Sequence, residues 1–264
     1  MMKMLCRAVL TAAVLPSLAQ AGPIIDFSHI ASSPGGNLEQ KTFTYQGITI
    51  DAFTKNANGD YVQNDNTTIF VRNQGSTELG LGVCGPSEQG ATACRPAAGY
   101  GTGSTYGGGG GDINELDNRS GNQELLRLTI ATGMKWDGAW VSSLDSGGTG
   151  GAEAGQMYWS NLADPNNVIG QSSDFLDYAY GSFGGAVTGN VLALADTSFN
   201  PSDKYLFFRG NPASGTNNDH LIWGVTTSSE KPPQQITVPE PGTVALWGIG
   251  VVALISRRRQ QRRT

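Results

Sequence analysis

Apolar and aromatic residues come in short runs, recurring roughly every 10–20 residues with Gly, Asn, Asp, Ser and Pro between them. Nowhere in the interior do they sustain a helical period, and such spacing suits strands joined by turns. Strands are expected near Ile24–His29, Lys41–Phe53 with a break at Gly47, Tyr61–Gln63, Thr68–Arg72, Leu79–Val83, Glu124–Ala131, Lys135–Leu144, Gly155–Ser160, Asn190–Ala195, Lys204–Arg209 and His220–Thr227. Within Glu124–Ala131, Leu126, Leu128 and Ile130 alternate with Arg127 and Thr129, which places the apolar set on one face of a half-buried strand. Asn58-Gly59, ahead of Tyr61, reads as a type I′ hairpin turn. Composition agrees, because Gly at 37 of 264 residues weakens helices and charged residues at 15% are too few to clothe them. The expected fold class is all-β: an antiparallel, jelly-roll-like β-sandwich with Gly-rich loops.

The loops carry little readable chemistry. Gly99–Gly111 is low in complexity, and no Gly-Lys-Ser/Thr or strand-to-helix frame makes it a phosphate loop. Asp145-Ser146-Gly147-Gly148 has the outline of a serine nucleophile loop, but Leu144 stands where Gly should precede, so it reads as a turn. His29 and His220 supply no H-x-x-x-H pair for zinc. Asp219-His220 reads as a surface polar pair opening a strand rather than an acid–base couple. Trp136, Trp140, Tyr158 and Trp159 are taken as core rings, with stacking on sugars as the alternative. The densest polar segment holds Asp112, Asn114, Glu115, Asp117 and Asn118. Its preferred reading is a turn held by its own Asx side chains. The alternative is a Ca²⁺ site, since these are the oxygen ligands Ca²⁺ takes, although no EF-hand frame surrounds them. No other cofactor and no enzymatic activity are expected.

Charge and cysteines set the compartment. The net charge of −5 averages opposites: the ends hold seven of the seventeen cations and none of the twenty-two acids, leaving residues 22–241 at −12. Such a domain repels nucleic acid, which is bound through a basic face. Cys6 lies in the N-terminal segment, so Cys84 and Cys94 remain as an even pair and are expected to form a disulfide in an oxidising compartment.

The N-terminus places Lys3 and Arg7 around a short apolar run, Ala8–Leu15, followed by Pro16 and Ala19-Gln20-Ala21. That is a signal peptide, with cleavage expected after Ala21. The C-terminus is more specific. Pro239 and Pro241 keep the chain extended around Glu240. An apolar segment from Gly242 to Ile255 follows, then Arg257, Arg258, Arg259, Arg262 and Arg263. As a helix the segment would be ~21 Å long against a ~30 Å hydrocarbon core, a short span whose arginines stay in the cytoplasm. The expected organisation is a signal peptide (1–21), a β-sandwich ectodomain (22–229), a linker (230–238) and a tail (239–264) with one transmembrane helix.

This tail resembles the PEP-CTERM sorting signal, in which Pro-Glu-Pro, an apolar helix and a basic terminus follow one another. The resemblance implies recognition by an exosortase at Pro239-Glu240-Pro241, cleavage, and transfer from the inner membrane to the cell surface or extracellular matrix. Gly80-Leu81-Gly82-Val83, followed by Asn114-Glu115, Asp117-Asn118 and Glu124-Leu125-Leu126, is similar to ectodomains seen with such tails and implies no ligand. The function expected is that of a sorted surface or matrix protein with a structural or adhesive sandwich. The alternatives are a module binding extracellular polysaccharide and an extracellular hydrolase.

Overall fold

A computed structural model describes residues 23–31, 35–74, 78–86, 94, 115–116, 118–119, 122–144, 152–180, 186–187, 191–194, 200–212 and 220–229. In chain order the strands are β1 (Ile24–Asp26), β2 (Gly35–Asn37), β3 (Thr42–Tyr45), β4 (Ile48–Lys55), β5 (Tyr61–Val62), β6 (Thr68–Gln74), β7 (Glu78–Cys84) and β8 (Asn118–Arg119). They continue as β9 (Asn122–Thr129), β10 (Met134–Ser142), β11 (Ala154–Ser160), β12 (Phe175–Ala179), β13 (Ala186–Val187), β14 (Val191–Leu194), β15 (Tyr205–Gly210) and β16 (Leu221–Ser229). Contacts divide the chain into two units, Met1–Ser228 and Ser229–Thr264, and these strands lie in the first, apart from Ser229 at the end of β16.

Two antiparallel sheets share one apolar core. The first runs β13-β14-β10-β16-β7-β6-β2, with β1 added on β16. The second runs β12-β11-β15-β9-β4-β3, with β5 on β4 and β8 on β9. Alternation decides the layers. Ile48, Ile50 and Ala52 of β4, Leu126 and Leu128 of β9, and Leu206 and Phe208 of β15 point inward from the second sheet. Ile69 and Val71 of β6, Leu81 and Val83 of β7, and Ile222 and Val225 of β16 meet them from the first. Trp136 and Trp159 are buried among these residues. Burial of such side chains contributes about 1.5–3 kcal/mol each and is the main force holding the layers together.

The ladder departs from expectation in several places. β1 stops at Asp26, whose carboxylate accepts the amide of Ser28 at 2.9 Å and caps a 3₁₀ turn, Phe27–Ile30; residues 27–29 are therefore not strand. The two-residue hairpin turn is Gln46-Gly47, both at positive φ, between paired Tyr45 and Ile48. Asn58-Gly59 instead belongs to a longer connection. Only Gly59 has positive φ, and the Asn56 side chain accepts the amides of Asn58 and Asp60. Four strands, β2, β8, β12 and β13, are absent from the expected set, of which β12 is the longest at five residues, whereas β11 matches expectation. Gly80 is required by crowding: at φ +127°, an added Cβ would stand 2.3 Å from the carbonyl oxygen of Ile222 on β16.

Candidate functional site

Antiparallel pairing sends β4, β7, β10, β12 and β15 out at one end of the sandwich, and β6, β9, β11 and β16 enter there. At that end the interior turns polar. Thr54 of β4 and Thr67 join hydroxyls at 2.8 Å. Tyr178, inward on β12, packs its ring over Gly155 of β11, where a Cβ would lie 2.5 Å from it. The space left by this glycine lets the Tyr178 hydroxyl reach Nε2 of His220 at 2.7 Å, the rings meeting edge-on. Tyr178 belongs to the second sheet and His220 leads into β16 of the first, so this bond ties the layers together. His220 is fully buried, which corrects the expectation of a surface pair with Asp219, a residue outside those described. Burial pushes the His220 pKa down to about 3 and raises that of Tyr178, so the imidazole is neutral at ordinary pH. Sealed from solvent, it acts as an inter-sheet strut.

Glu115 is the one member of the suspected Ca²⁺ set whose side chain is described. It is buried, and its Oε1 accepts from Arg72 of β6 and, at 2.7 Å, from the hydroxyl of Ser143. Arg72 also reaches Glu78 of β7 at 3.3 Å. Next along the chain, the Leu116 amide donates to the His220 carbonyl at 2.8 Å, pinning residues 115–116 against the start of β16. Asn118 pairs through its backbone with Gln123 in β8. Asp112, Asn114 and Asp117 lie outside the described residues, among which no three His, Cys, Asp or Glu side chains cluster to hold a metal.

Cys84, the last residue of β7, is joined to Cys94. Phe70 of β6 packs on the bridge, and the Asn37 amide of β2 donates to the Cys94 carbonyl at 3.1 Å. The disulfide thereby anchors the edge strand as well as the loop it closes.

The outer face of the second sheet is not plain solvent. Phe53, Tyr61, Leu125, Tyr158 and Phe207 form a second apolar layer, covered by Val168 and Ile169. The covering segment is fastened by Asn166, whose side chain accepts the Tyr61 amide at 2.7 Å and donates to its carbonyl at 3.1 Å. Arg127 pairs with Asp51 at 2.8 Å beneath it. Trp136, Tyr158 and Trp159 are buried, so three of the four rings weighed as sugar platforms are packing residues; Trp140 is partly covered. Sequence reading misses these tertiary pairs because Tyr178 and His220, or Arg72 and Glu115, stand more than forty positions apart. A charged Arg72 following apolar Ile69-Phe70-Val71 is the available signal.

Among the described residues no helix is long and apolar enough to cross a membrane; the sorting residues Pro239, Glu240 and Pro241, the expected span and its arginines lie outside them. The Asp145–Gly148 turn and the leader lie outside them too. Residues 237–260 match the family described as the PEP-CTERM protein-sorting motif, a C-terminal exosortase signal. No curated protein and no solved structure matches the chain.

Proposed function

We propose that this PEP-CTERM protein is a non-enzymatic surface or matrix component whose jelly-roll-like sandwich serves a structural or adhesive role after exosortase sorting. The observation that carries this reading is the match at residues 237–260, which marks the chain as an exported protein addressed to an exosortase. The order of parts supports the rest. Glu240 is the only charge between Lys231 and Arg257, in a stretch that Pro239 and Pro241 hold extended beside the apolar segment. An enzyme can read that backbone and carboxylate without first unwinding a helix. Residues 242–255 then insert as a short helix, and the five arginines hold its end in the cytoplasm until cleavage. A disulfide and a sandwich locked by buried polar ties suit an oxidising compartment outside the cytoplasm.

Localisation tests this. In a host containing the sorting enzyme, the wild-type chain should reach the surface, removal of residues 257–264 should misplace it, and Glu240→Ala should leave it in the membrane fraction. Equal surface display of all three would overturn the sorting reading.

A further inference from the structure

Of the seven Lys and Arg residues of this domain whose side chains are described, four are paired with carboxylates. Lys41 pairs with Asp65, Arg72 with Glu115, Arg127 with Asp51 and Lys135 with Asp137. Lys204 lies over the Tyr205 ring without such a partner among the described residues, and Lys55 and Arg209 break the pattern as a pair. They stand near one another on the outer face of the second sheet, on β4 and β15 with β9 between, and no carboxylate among the described residues lies within ion-pair distance of either. Tyr61 lies beside both: the Lys55 ammonium is 5.4 Å from its ring centre, and the Arg209 charge is close enough to act on the same phenol.

Neither cation is loosely placed. The Arg209 guanidinium lies 5.4 Å from the centre of the Tyr158 ring, donates from Nη2 to the Tyr158 hydroxyl at 3.0 Å and from Nε to Gln156 Oε1 at 2.9 Å. The Gln156 amide nitrogen donates in turn to Asp177 at 2.7 Å. This relay fixes the amide and occupies the nearby acid without forming an ion pair to Arg209. Burial and the adjacent Arg209 charge both lower the Lys55 pKa, as expected for an ammonium held partly dry beside a like charge. Two like charges close together on one sheet face form a local arrangement that an anion would relieve, against the negative charge of the domain as a whole. Nε and Nη2 serve Gln156 and Tyr158, so the Nη1 donors and the second hydrogen of Nη2, the end-on fork of the guanidinium, remain for a carboxylate or sulfate.

We propose that Lys55 and Arg209, positioned by the buried Tyr61, Tyr158 and Gln156, form an oxyanion-binding site that takes the carboxylate of an acidic sugar polymer. It deepens, and rests on, the adhesive reading by naming what the surface protein adheres to. The exposed Asp177 carboxylate lies alongside as an acceptor for sugar hydroxyls, and Asn211, which donates to Asp177 at 3.1 Å, extends that row. A neutral polysaccharide has nothing to offer the paired cations.

The test is titration calorimetry of the full-length protein in detergent with trigalacturonic acid, inorganic sulfate and maltotriose. Trigalacturonic acid should bind, with affinity falling as salt rises, and maltotriose should not. Lys55→Gln, at a partly exposed position with no structural hydrogen bond of its own, should weaken binding about tenfold with an unchanged melting temperature, and Arg209→Lys should weaken it further through loss of the fork. Sulfate binding as tightly as the trisaccharide would assign the same site to free oxyanions and overturn the polymer as its ligand. Tighter binding of the trisaccharide assigns it to the polymer. No binding of either anion, or binding unchanged in Lys55→Gln, overturns the site while leaving sorting, read independently by cellular localisation, intact.

Discussion

Gly155 shows how much a single hydrogen atom in place of a methyl group can decide. Because the Tyr178 ring lies over it and is tied to His220, the ring cannot swing aside, and Gly155→Ala should cost about 1–3 kcal/mol in denaturant unfolding. His220 adds a pH dependence whose sign follows from its pKa. The folded imidazole is held at about 3 against 6.5 unfolded, so between those values the unfolded chain binds a proton that the folded protein refuses. Stability is complete above pH 6.5 and falls as pH drops, by up to about 1.4 kcal/mol per unit. Unfolding measured from pH 7 to 4 should show that slope, and His220→Asn should flatten it. Asp203 works the opposite way: burial and Asp174 raise its pKa, so its contribution is lost as pH rises through that value, and Asp203→Asn separates the two. None of this is legible in the sequence, where His220 follows Asp219 at a strand start and nothing signals a tyrosine forty-two positions away as its partner.

At the scale of elements, much is legible, and for an identifiable reason. Leu126, Leu128 and Ile130 face the core in β9 and just beyond it as their alternation demands, because a long strand with one buried face advertises its period. β12 escapes because five residues give too few repeats, and the I′ turn expected at Asn58-Gly59 is carried by Gln46-Gly47. In the latter pair glutamine accepts a positive φ that local preference argues against, under the demand of the Tyr45–Ile48 pairing. The covering segment and the disulfide each lend themselves to a test. Asn166→Ala removes both bonds from the covering segment to the Tyr61 backbone of β5, and amide exchange at Tyr61 should accelerate by about tenfold or more. Replacing Cys84 and Cys94 together by Ala should lower stability by about 2–3 kcal/mol. Thiol labelling of the denatured, unreduced mature protein should find no free thiol.

For the whole molecule the division of labour is plain: the tail carries the address, and the sandwich carries whatever the destination requires. The tail is the most legible part of the chain, because proline, one carboxylate, an apolar run and arginines act in sequence order and need no tertiary contact. The oxyanion site proposed for the sandwich is the least legible, because Lys55, Tyr158 and Arg209 meet only across strands. Everything proposed for the ectodomain presumes that the tail is processed. The intact mass of protein recovered from the cell surface measures that directly, in a host that contains the sorting enzyme. The account predicts a wild-type mass lacking Arg257–Thr264, and a Glu240→Ala chain that retains them. A surface-exposed wild-type chain with the same C-terminus as the variant would contradict it, leaving the tail a permanent anchor.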